Sequence, residues 1–565
     1  MRFVGQALWA PSMLPAAFPA CRDRLTRRLL ARIGPDGALR DPCRSRVPES
    51  ALMLALLEFS GHVDHFADER RRLIDYLNTA TRSRDSRDST DRTHSARSTD
   101  STDSTWDAVF TAAVRGSSRP IAYERLADEF ASRAPAFASE RKRMLWQALF
   151  VMLGAPAVPD LPIGPSAFGG LHPWAAVQVA AARVVLAPAA ARGGLADDIA
   201  LLRSTQDTAR HSGGIWEGNL LVHLLTLHAL ARVPGHDDLV LRGIGTALRR
   251  QRDDGGIPFV TDTDTWSTVV TGLALHTAGV PATALSTVAA HVASVQHGDG
   301  GWSYTDHALL PDTDCTTVAV EFLHQVDPRA HRQAIDRAVR YLLAAQGPDG
   351  GFPTYGAGSP SEPCMTAAAI NALTTQTVPH REALDDAVGF LAAGQLPDGS
   401  FPAGWSSSRG HALFRVHLAM RGLATRGLST RNLTARNLGA SARAIDERII
   451  RLLLRSQNSD GGWGRQDADP SDAISTAYGL IVAAGGVRDP GPAARAADYL
   501  VARQRDDGGF DAPPDMLGPR PLPYHVPLLT DAFVLLALGH LTRRTAAARG
   551  TIAGPRRRLP ADRNR

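Results

Sequence analysis

Aromatic residues make up only 6% of this 565-residue chain, and its four cysteines (Cys21, Cys43, Cys315, Cys364) show no Cys-x-x-Cys spacing. The cysteine pattern excludes a disulfide framework and a Cys-based zinc site and fits a reducing compartment, so a cytoplasmic protein is expected. No apolar run reaches the ~20 residues that cross a bilayer, which argues against a transmembrane helix. Charge is nearly balanced: 62 Lys and Arg against 57 Asp and Glu leave +5. Much of that excess sits in the tail (Arg543, Arg544, Arg549, Arg556, Arg557, Arg558, Arg563, Arg565). No basic stripe carries interleaved aromatics, so no nucleic-acid partner is expected. The start is apolar after Arg2 but holds Pro11, Pro15 and Pro19, which favours a frayed arm over a signal leader.

What the chain does have is a repeat. Gln296-His-Gly-Asp299-Gly-Gly-Trp302 recurs as Gln346-Gly-Pro-Asp349-Gly-Gly-Phe352, Gln395-Leu-Pro-Asp398-Gly-Ser-Phe401, Gln457-Asn-Ser-Asp460-Gly-Gly-Trp463 and Gln504-Arg-Asp-Asp507-Gly-Gly-Phe510. A weaker copy starts at Gln251, and the period is roughly 50 residues, the signature of stacked units. The wider gap between Gln395 and Gln457 reads as a surface-loop insertion over 426–443. Between copies, runs such as Leu220–Leu230 place apolar residues at i, i+3, i+4 and i+7, so each unit is a helix, a Gly-rich turn and another helix. In this reading the Asp caps the next helix and the Gly ends the previous one. A hairpin of this kind cannot bury its face alone, and five or six of them can close into an α/α barrel. Residues 79–105 are rich in Ser, Thr, Asp and Arg and are expected to be disordered, as is the basic tail 542–565.

Inside the array lies Pro311-Asp312-Thr313-Asp314-Cys315-Thr316-Thr317. Taken alone, the pair allows three readings. Asp-x-Asp offers too few ligands for a metal by itself. Asp314 could cap the apolar run that follows. Alternatively the two carboxyls share a proton, because two in contact cannot both ionise cheaply and one stays an acid near neutral pH.

The repeats resemble the QW motifs of triterpene cyclases and their relatives, and Asp312-Thr313-Asp314-Cys315-Thr316 resembles the Asp-x-Asp-Asp-Thr motif of class II terpene cyclases. The resemblance implies that Asp314 is the acid that protonates a terminal alkene and Asp312 its supporting partner. Cys315 departs from the bacterial pattern and is similar to the Asp-Cys-Thr-Ala of oxidosqualene cyclases; its thiol can donate a weak hydrogen bond. Asp264-Thr-Trp266-Ser-Thr268 resembles the helix start upstream of the acid motif, and Pro48-Glu49-Ser50-Ala51 a segment that puts Glu49 near the chamber. Ala368 stands where hopene-forming relatives carry a histidine partner of the acid, with Cys364 nearby in sequence.

The family implies an all-α fold of two α/α-barrel domains with QW-type repeats and the chamber between them. Residues 1–35 are the arm and first helix (about 22–32) of the β domain, 36–281 the γ domain, and 282–541 the rest of the β domain. Trp266, Tyr304, Trp405, Tyr524 and Glu49 are the substrate-binding candidates; rings lower the energy of passing cations. Trp302 belongs to a repeat turn and is expected to be structural. The implied reaction is protonation-initiated cyclisation of a linear isoprenoid. Scarce aromatics favour a prenyl diphosphate over squalene or its epoxide, with geranylgeranyl diphosphate put first and farnesyl diphosphate as the alternative. The absence of Asp-Asp-x-x-Asp excludes ionisation of the diphosphate, so magnesium would only escort it. Arg210, His211, Arg409 and Arg415 are candidate anion partners, and a homodimer is conceivable. A protein prenyltransferase β subunit would need zinc on an Asp-x-Cys pair, whereas Asp314 and Cys315 are adjacent.

Overall fold

The Gln-x-x-Asp-Gly segment makes the same turn each time. In the computed structural model, Gln296 Nε2 donates to Gly300 O (2.8 Å) and to Ala334 O (2.9 Å). One side chain thereby ties its own turn to the start of the next outer helix. Gln346, Gln395 and Gln457 do the same with Ala383, Ile445 and Pro492, and Gln251 with Glu69. The aspartate differs from expectation. Asp299 Oδ1 accepts from Gly301 N (3.0 Å) inside the turn, because the following helix starts only at Thr313. Gly300 has φ 100°, and a Cβ there would lie 2.6 Å from Arg337 O, so the turn requires glycine.

The structure describes residues 9, 13–90, 100–115, 123–132, 138–156, 171–209, 214–356, 359–376, 380–425 and 433–552. Helix α1 (Phe18–Leu30) precedes a first group: α2 (Val47–Phe59), α3 (Ala67–Thr90), α4 (Asp100–Arg115), α5 (Tyr123–Ser132), α6 (Ser139–Met152), α7 (Pro173–Leu186), α8 (Ala196–Ala209), α9 (Leu220–Leu230) and α10 (Asp237–Leu248). A second group follows: α11 (Asp264–Thr277), α12 (Ser286–Ser294), α13 (Thr313–Val326), α14 (Arg332–Ala345), α15 (Pro363–Leu373) and α16 (Arg381–Gly394). It continues with α17 (Gly410–Thr425), α18 (Leu433–Arg455), α19 (Ala473–Gly486), α20 (Gly491–Arg503) and α21 (Pro527–Ile552). Two short antiparallel pairs lie among them, one in each group: β1 (Ser45–Arg46) with β2 (Ile257–Pro258), and β3 (Met516–Leu517) with β4 (Pro523–Tyr524).

In the second group α11, α13, α15, α17, α19 and α21 each pack on the next, and α21 returns to α11, closing an inner ring. These helices are buried on nearly all sides; α19 is buried from Ala473 to Ala484. That is what a helix between a core and an outer layer requires. The outer helices carry one apolar face, as in α14 with Ala334, Ile335, Ala338, Val339 and Leu342 buried. The last hairpin has no outer partner downstream. Helix α1 fills the place, packing on α20, α21 and α11, and Gln504 Nε2 donates back to Cys21 O (2.9 Å). In the first group α6 packs on α5 and α7, α7 on α9, α9 on α2, and α2 on α4.

Several expectations change. Helix α11, grouped with the first unit on sequence, packs between α21 and α13. We therefore assign the boundary between the units to the segment before Asp264. Residues 79–90 and 100–105, expected disordered, are helical in α3 and α4, where the two helices pack on each other; 91–99 lie outside the described residues. The insertion expected as a loop is helical from Leu433, because Ala442, Ile445, Ile449 and Leu452 give α18 a buried face. The basic tail is helical as far as Ile552, an extension of α21, and 553–565 lie outside the described residues.

Candidate active site

The acid pair sits at the start of α13. Asp312 is its N-cap, with Oδ1 accepting from Cys315 N (2.7 Å), while its carbonyl oxygen accepts from Thr316 Oγ1 (2.7 Å). The capping residue is thus Asp312, with Asp314 in the first turn. The two readings of the pair are compatible, since the cap is also buried. Burial pushes the Asp312 carboxyl up to about 7; the Cys315 N–H pulls it down and the neighbouring Asp314 charge pushes it up. Burial also raises Asp314, against the pull of Arg415 on α17, whose Nη2 lies 2.7 Å from Asp314 Oδ1. The approach is an ion pair without directed hydrogen bonding, for Asp314 Oδ1 and Arg415 Nε both lack a hydrogen-bond partner. Glu321, further along α13, is raised to about 7 by burial, lowered by Arg415 and raised by Asp314. One buried cation therefore faces two carboxyls, Asp314 and Glu321, with Asp312 beside Asp314, and a proton is retained among the three near neutral pH. Burial likewise pushes the Cys315 thiol up, so it remains a neutral donor to Asp312.

Both aspartates open onto a cavity of about 350 Å³ between the two helical groups, a volume suited to a small molecule. Trp266, Tyr304, Trp405 and Tyr524 all line it, as the sequence suggested. The Tyr304 hydroxyl donates to Glu217 O. Trp405 Nε1 donates to Thr354 Oγ1 (2.8 Å). Tyr524 packs on Phe259 with centroids 5.1 Å apart. Trp302 lies away from the cavity, as expected, with Nε1 donating to Val292 O (2.7 Å).

Glu49 is not on the wall. It is fully buried and ion-paired with Arg46, whose Nη1 donates to Gly518 O (2.6 Å) and whose guanidinium covers Phe259 at 4.5 Å. Its task is to fix the arginine that fixes the β3–β4 turn, and that turn lines the cavity. Cys364 is also off the wall, buried with Sγ 3.3 Å from His411 Nδ1. With Ala368 in place of the histidine partner that hopene-forming relatives carry, the group beside Asp314 is Arg415, from a different helix. Arg409 pairs with Asp467, away from the cavity, and Arg210 and His211 lie outside the described residues.

Sequence reading missed the cationic end of the cavity. Arg141 and Lys142, in the first turn of α6, line it with His172, Gln178 and Arg520. Burial, with Arg141 and Arg520 close by, lowers Lys142 to about 7, and burial and Arg520 lower Arg141. No described carboxylate pairs with Arg141 or Lys142. Arg520 is held by Glu362 at 2.6 Å and covers the Trp405 ring at 4.1 Å. Unpaired cations at a helix N-terminus lining a cavity are a site for an anion. The sequence signal was faint: one Arg-Lys pair inside Ser139–Met152.

Glu217 was also missed. It has φ 55°, and its carboxylate accepts from Trp174 Nε1 (3.0 Å) and from the backbone N–H groups of Leu309 (2.9 Å) and Leu310 (3.2 Å). A side chain of the first group thereby braces the loop leading into the acid pair. No group of three His, Cys, Asp or Glu side chains is placed to hold a metal among the described residues. The escort role expected for magnesium finds no dedicated site among these residues, and the chemistry below derives no step through it.

Residues 263–414 and 318–513 match the family described as Prenyltransferase alpha-alpha toroid domain. The chain is 38% identical to a drimenyl diphosphate synthase of Streptantibioticus cattleyicolor over 94% of its length and 96% of that protein. It is also 38% identical to a drimenyl diphosphate synthase of Streptomyces showdoensis, over 92% of this chain and 94% of that one. The ent-copalyl diphosphate synthase from Streptomyces platensis shares the fold, at 20% identity and TM-score 0.53, over 93% of this chain and all of that one. With an acid pair opening on an aromatic cavity between two helical rings, and likeness along nearly its whole length, this chain belongs to the class II terpene cyclases.

Proposed function

We propose that the protein cyclises farnesyl diphosphate to a bicyclic, drimenyl-type diphosphate without ionising the diphosphate. The single observation that carries this reading is the polarity of the cavity: an acid pair on one group of helices, aromatic walls, and unpaired cations on the other group. The cations hold the diphosphate, and the chain folds along the rings toward Asp314. The Asp312–Asp314 pair gives its proton to the distal trisubstituted alkene. The conjugate carboxylate is then held by Arg415, 2.7 Å away. Successive alkenes capture the cation, and Trp266, Tyr304, Tyr355 and Trp405 face it with π density.

The farnesyl chain is preferred to the geranylgeranyl chain favoured on sequence because the curated relatives named above, alike over nearly the full chain, are drimenyl diphosphate synthases. Geranylgeranyl diphosphate is the second reading. Squalene would leave the Arg141–Lys142 end without a partner, which disfavours a triterpene. The test is to incubate the purified protein separately with farnesyl diphosphate, geranylgeranyl diphosphate and squalene, then analyse extracts before and after phosphatase treatment. A cyclic product from farnesyl diphosphate that still carries its diphosphate is expected. Turnover of squalene alone would remove the reading.

A further inference from the structure

His172 shares the cavity wall and has no task in the chemistry above. Its backbone opens α7, with its carbonyl accepting from Ala175 N (3.0 Å) and Ala176 N (3.1 Å), so the residue is fixed from below. Its ring lies against Tyr355, centroids 4.8 Å apart, and Tyr355 in turn packs on Trp174 (5.3 Å) and Trp405 (6.0 Å). Nδ1 is buried and has no hydrogen-bond partner. The charged groups that face the ring are Arg141 and Lys142, from α6. Burial and these cations lower the imidazole to about 4, so in the empty cavity it is neutral and Nδ1 is an open acceptor whenever the ring hydrogen sits on Nε2. The other carboxyls on the wall are engaged: Glu362 pairs with Arg520, and Asp312 and Asp314 are the acid pair.

We propose that His172 is the general base that ends the cyclisation by taking a proton from the last carbocation. The inference rests on the farnesyl diphosphate reading. When the farnesyl chain has closed two rings, the positive charge rests on the carbon next to the ring carbon that bears the CH2–diphosphate arm. A C–H bond of the ring methylene next to the cationic carbon breaks. Its electron pair forms an endocyclic C=C bond, and the proton goes to Nδ1. The diphosphate is unchanged, one proton enters from the aspartate pair and one leaves to His172, so the reaction is an isomerisation that needs no oxidant or reductant.

Position supports this. The terminal cation of a farnesyl chain lies beside its diphosphate, and His172 lies beside the two cations that bind it. In a geranylgeranyl chain the corresponding cation is a whole isoprene unit further away. Charge supports it too. An imidazolium beside Arg141 and Lys142 is unfavourable until a diphosphate neutralises them, so the base acquires its proton affinity only with substrate bound.

The test compares wild type with His172→Gln, which keeps a polar side chain but cannot take the proton, and with His172→Phe, which fills the space. Each variant is first shown by circular dichroism and melting to be folded. Farnesyl diphosphate is the substrate, and products are separated as alkene and alcohol diphosphates. The expected result is retained protonation with KM within several-fold of wild type and alkene formation reduced ~10²-fold, the usual scale for a lost general base. The remaining flux should move to water-captured alcohol or isomeric alkenes. An unchanged product ratio and rate in both folded variants would overturn the proposal. So would a raised KM with an unchanged product ratio, which would make His172 part of the diphosphate site. Failure of wild type itself to convert farnesyl diphosphate sinks the substrate reading, a different outcome from either.

Discussion

Arg415 and Asp314 stand 2.7 Å apart, joining α17 to the first turn of α13 across the inner ring. A guanidinium so close opposes protonation of the acid it touches. Burial wins, and Arg415 is also drawn on by Glu321, so its field is divided. The arrangement suits a proton donor that must be uncharged before the reaction and supported as an anion after it. Replacing Arg415 by methionine should remove that support. We predict a fall in kcat of ~10²-fold or more, with the alkaline limb of the pH–rate profile moved upward, because Asp314 loses the group that lowers it. A pH profile of the folded variant checks both parts.

The pH dependence of wild type follows from the same groups. Asp312 is raised to about 7, so the pair holds its proton below that value and loses it above. Lys142 is lowered to about 7, so its positive charge is lost over the same window. Both losses act in one direction, and kcat/KM for farnesyl diphosphate should fall as pH rises above ~7, since this ratio reports groups of the free enzyme. A flat profile to pH ~9 would contradict the electrostatics described.

The cationic end makes a separable prediction. Lys142→Ala removes a charge-assisted contact worth about 1.5–3 kcal/mol, so KM should rise ~10–100-fold with kcat less affected. The variant should also lose preference for farnesyl diphosphate over the monophosphate. Steady-state kinetics with the two substrates measure this.

Much of this was legible in the sequence because repetition fixes geometry. Each Gln-x-x-Asp-Gly copy needs the same two carbonyl partners, so Gln296, Gln346 and Gln457 announced their turns before any helix was placed. Short motifs marked the acid pair and Trp266, whereas Tyr304, Trp405 and Tyr524 were picked without a motif of their own, and only the assembled cavity brings them together. The cationic end was not, because Arg141 and Lys142 meet Arg520 only when the two groups of helices come together. Glu49 was misplaced because the sequence shows Arg46 three residues upstream but not the β1 geometry that turns its guanidinium onto Glu49. The expected loop is helical from Leu433, and sequence missed this because the residues that give α18 its buried face, Ile445, Ile449 and Leu452, lie beyond it; 426–432 lie outside the described residues.

Ring closure by the first helix can be tested through stability. Gln504→Ala deletes the bonds to Gly508 O (2.8 Å) and Cys21 O (2.9 Å) that tie α1 to the last hairpin. At about 1 kcal/mol per hydrogen bond, plus the penalty for carbonyls left unpaired, the variant should lose ~1–3 kcal/mol. Denaturant unfolding followed by circular dichroism measures it. The same substitution at Gln251, which ties its turn to α3 through Glu69 O, should leave the closure of the second ring intact.

The most direct measurement is the fate of the initiating proton. In deuterium oxide with farnesyl diphosphate, wild type should place one deuterium on the ring carbon beside the gem-dimethyl carbon, while a folded Asp314→Asn protein forms no cyclic product. A cyclic product without that deuterium, or undiminished turnover by Asp314→Asn, would contradict the account.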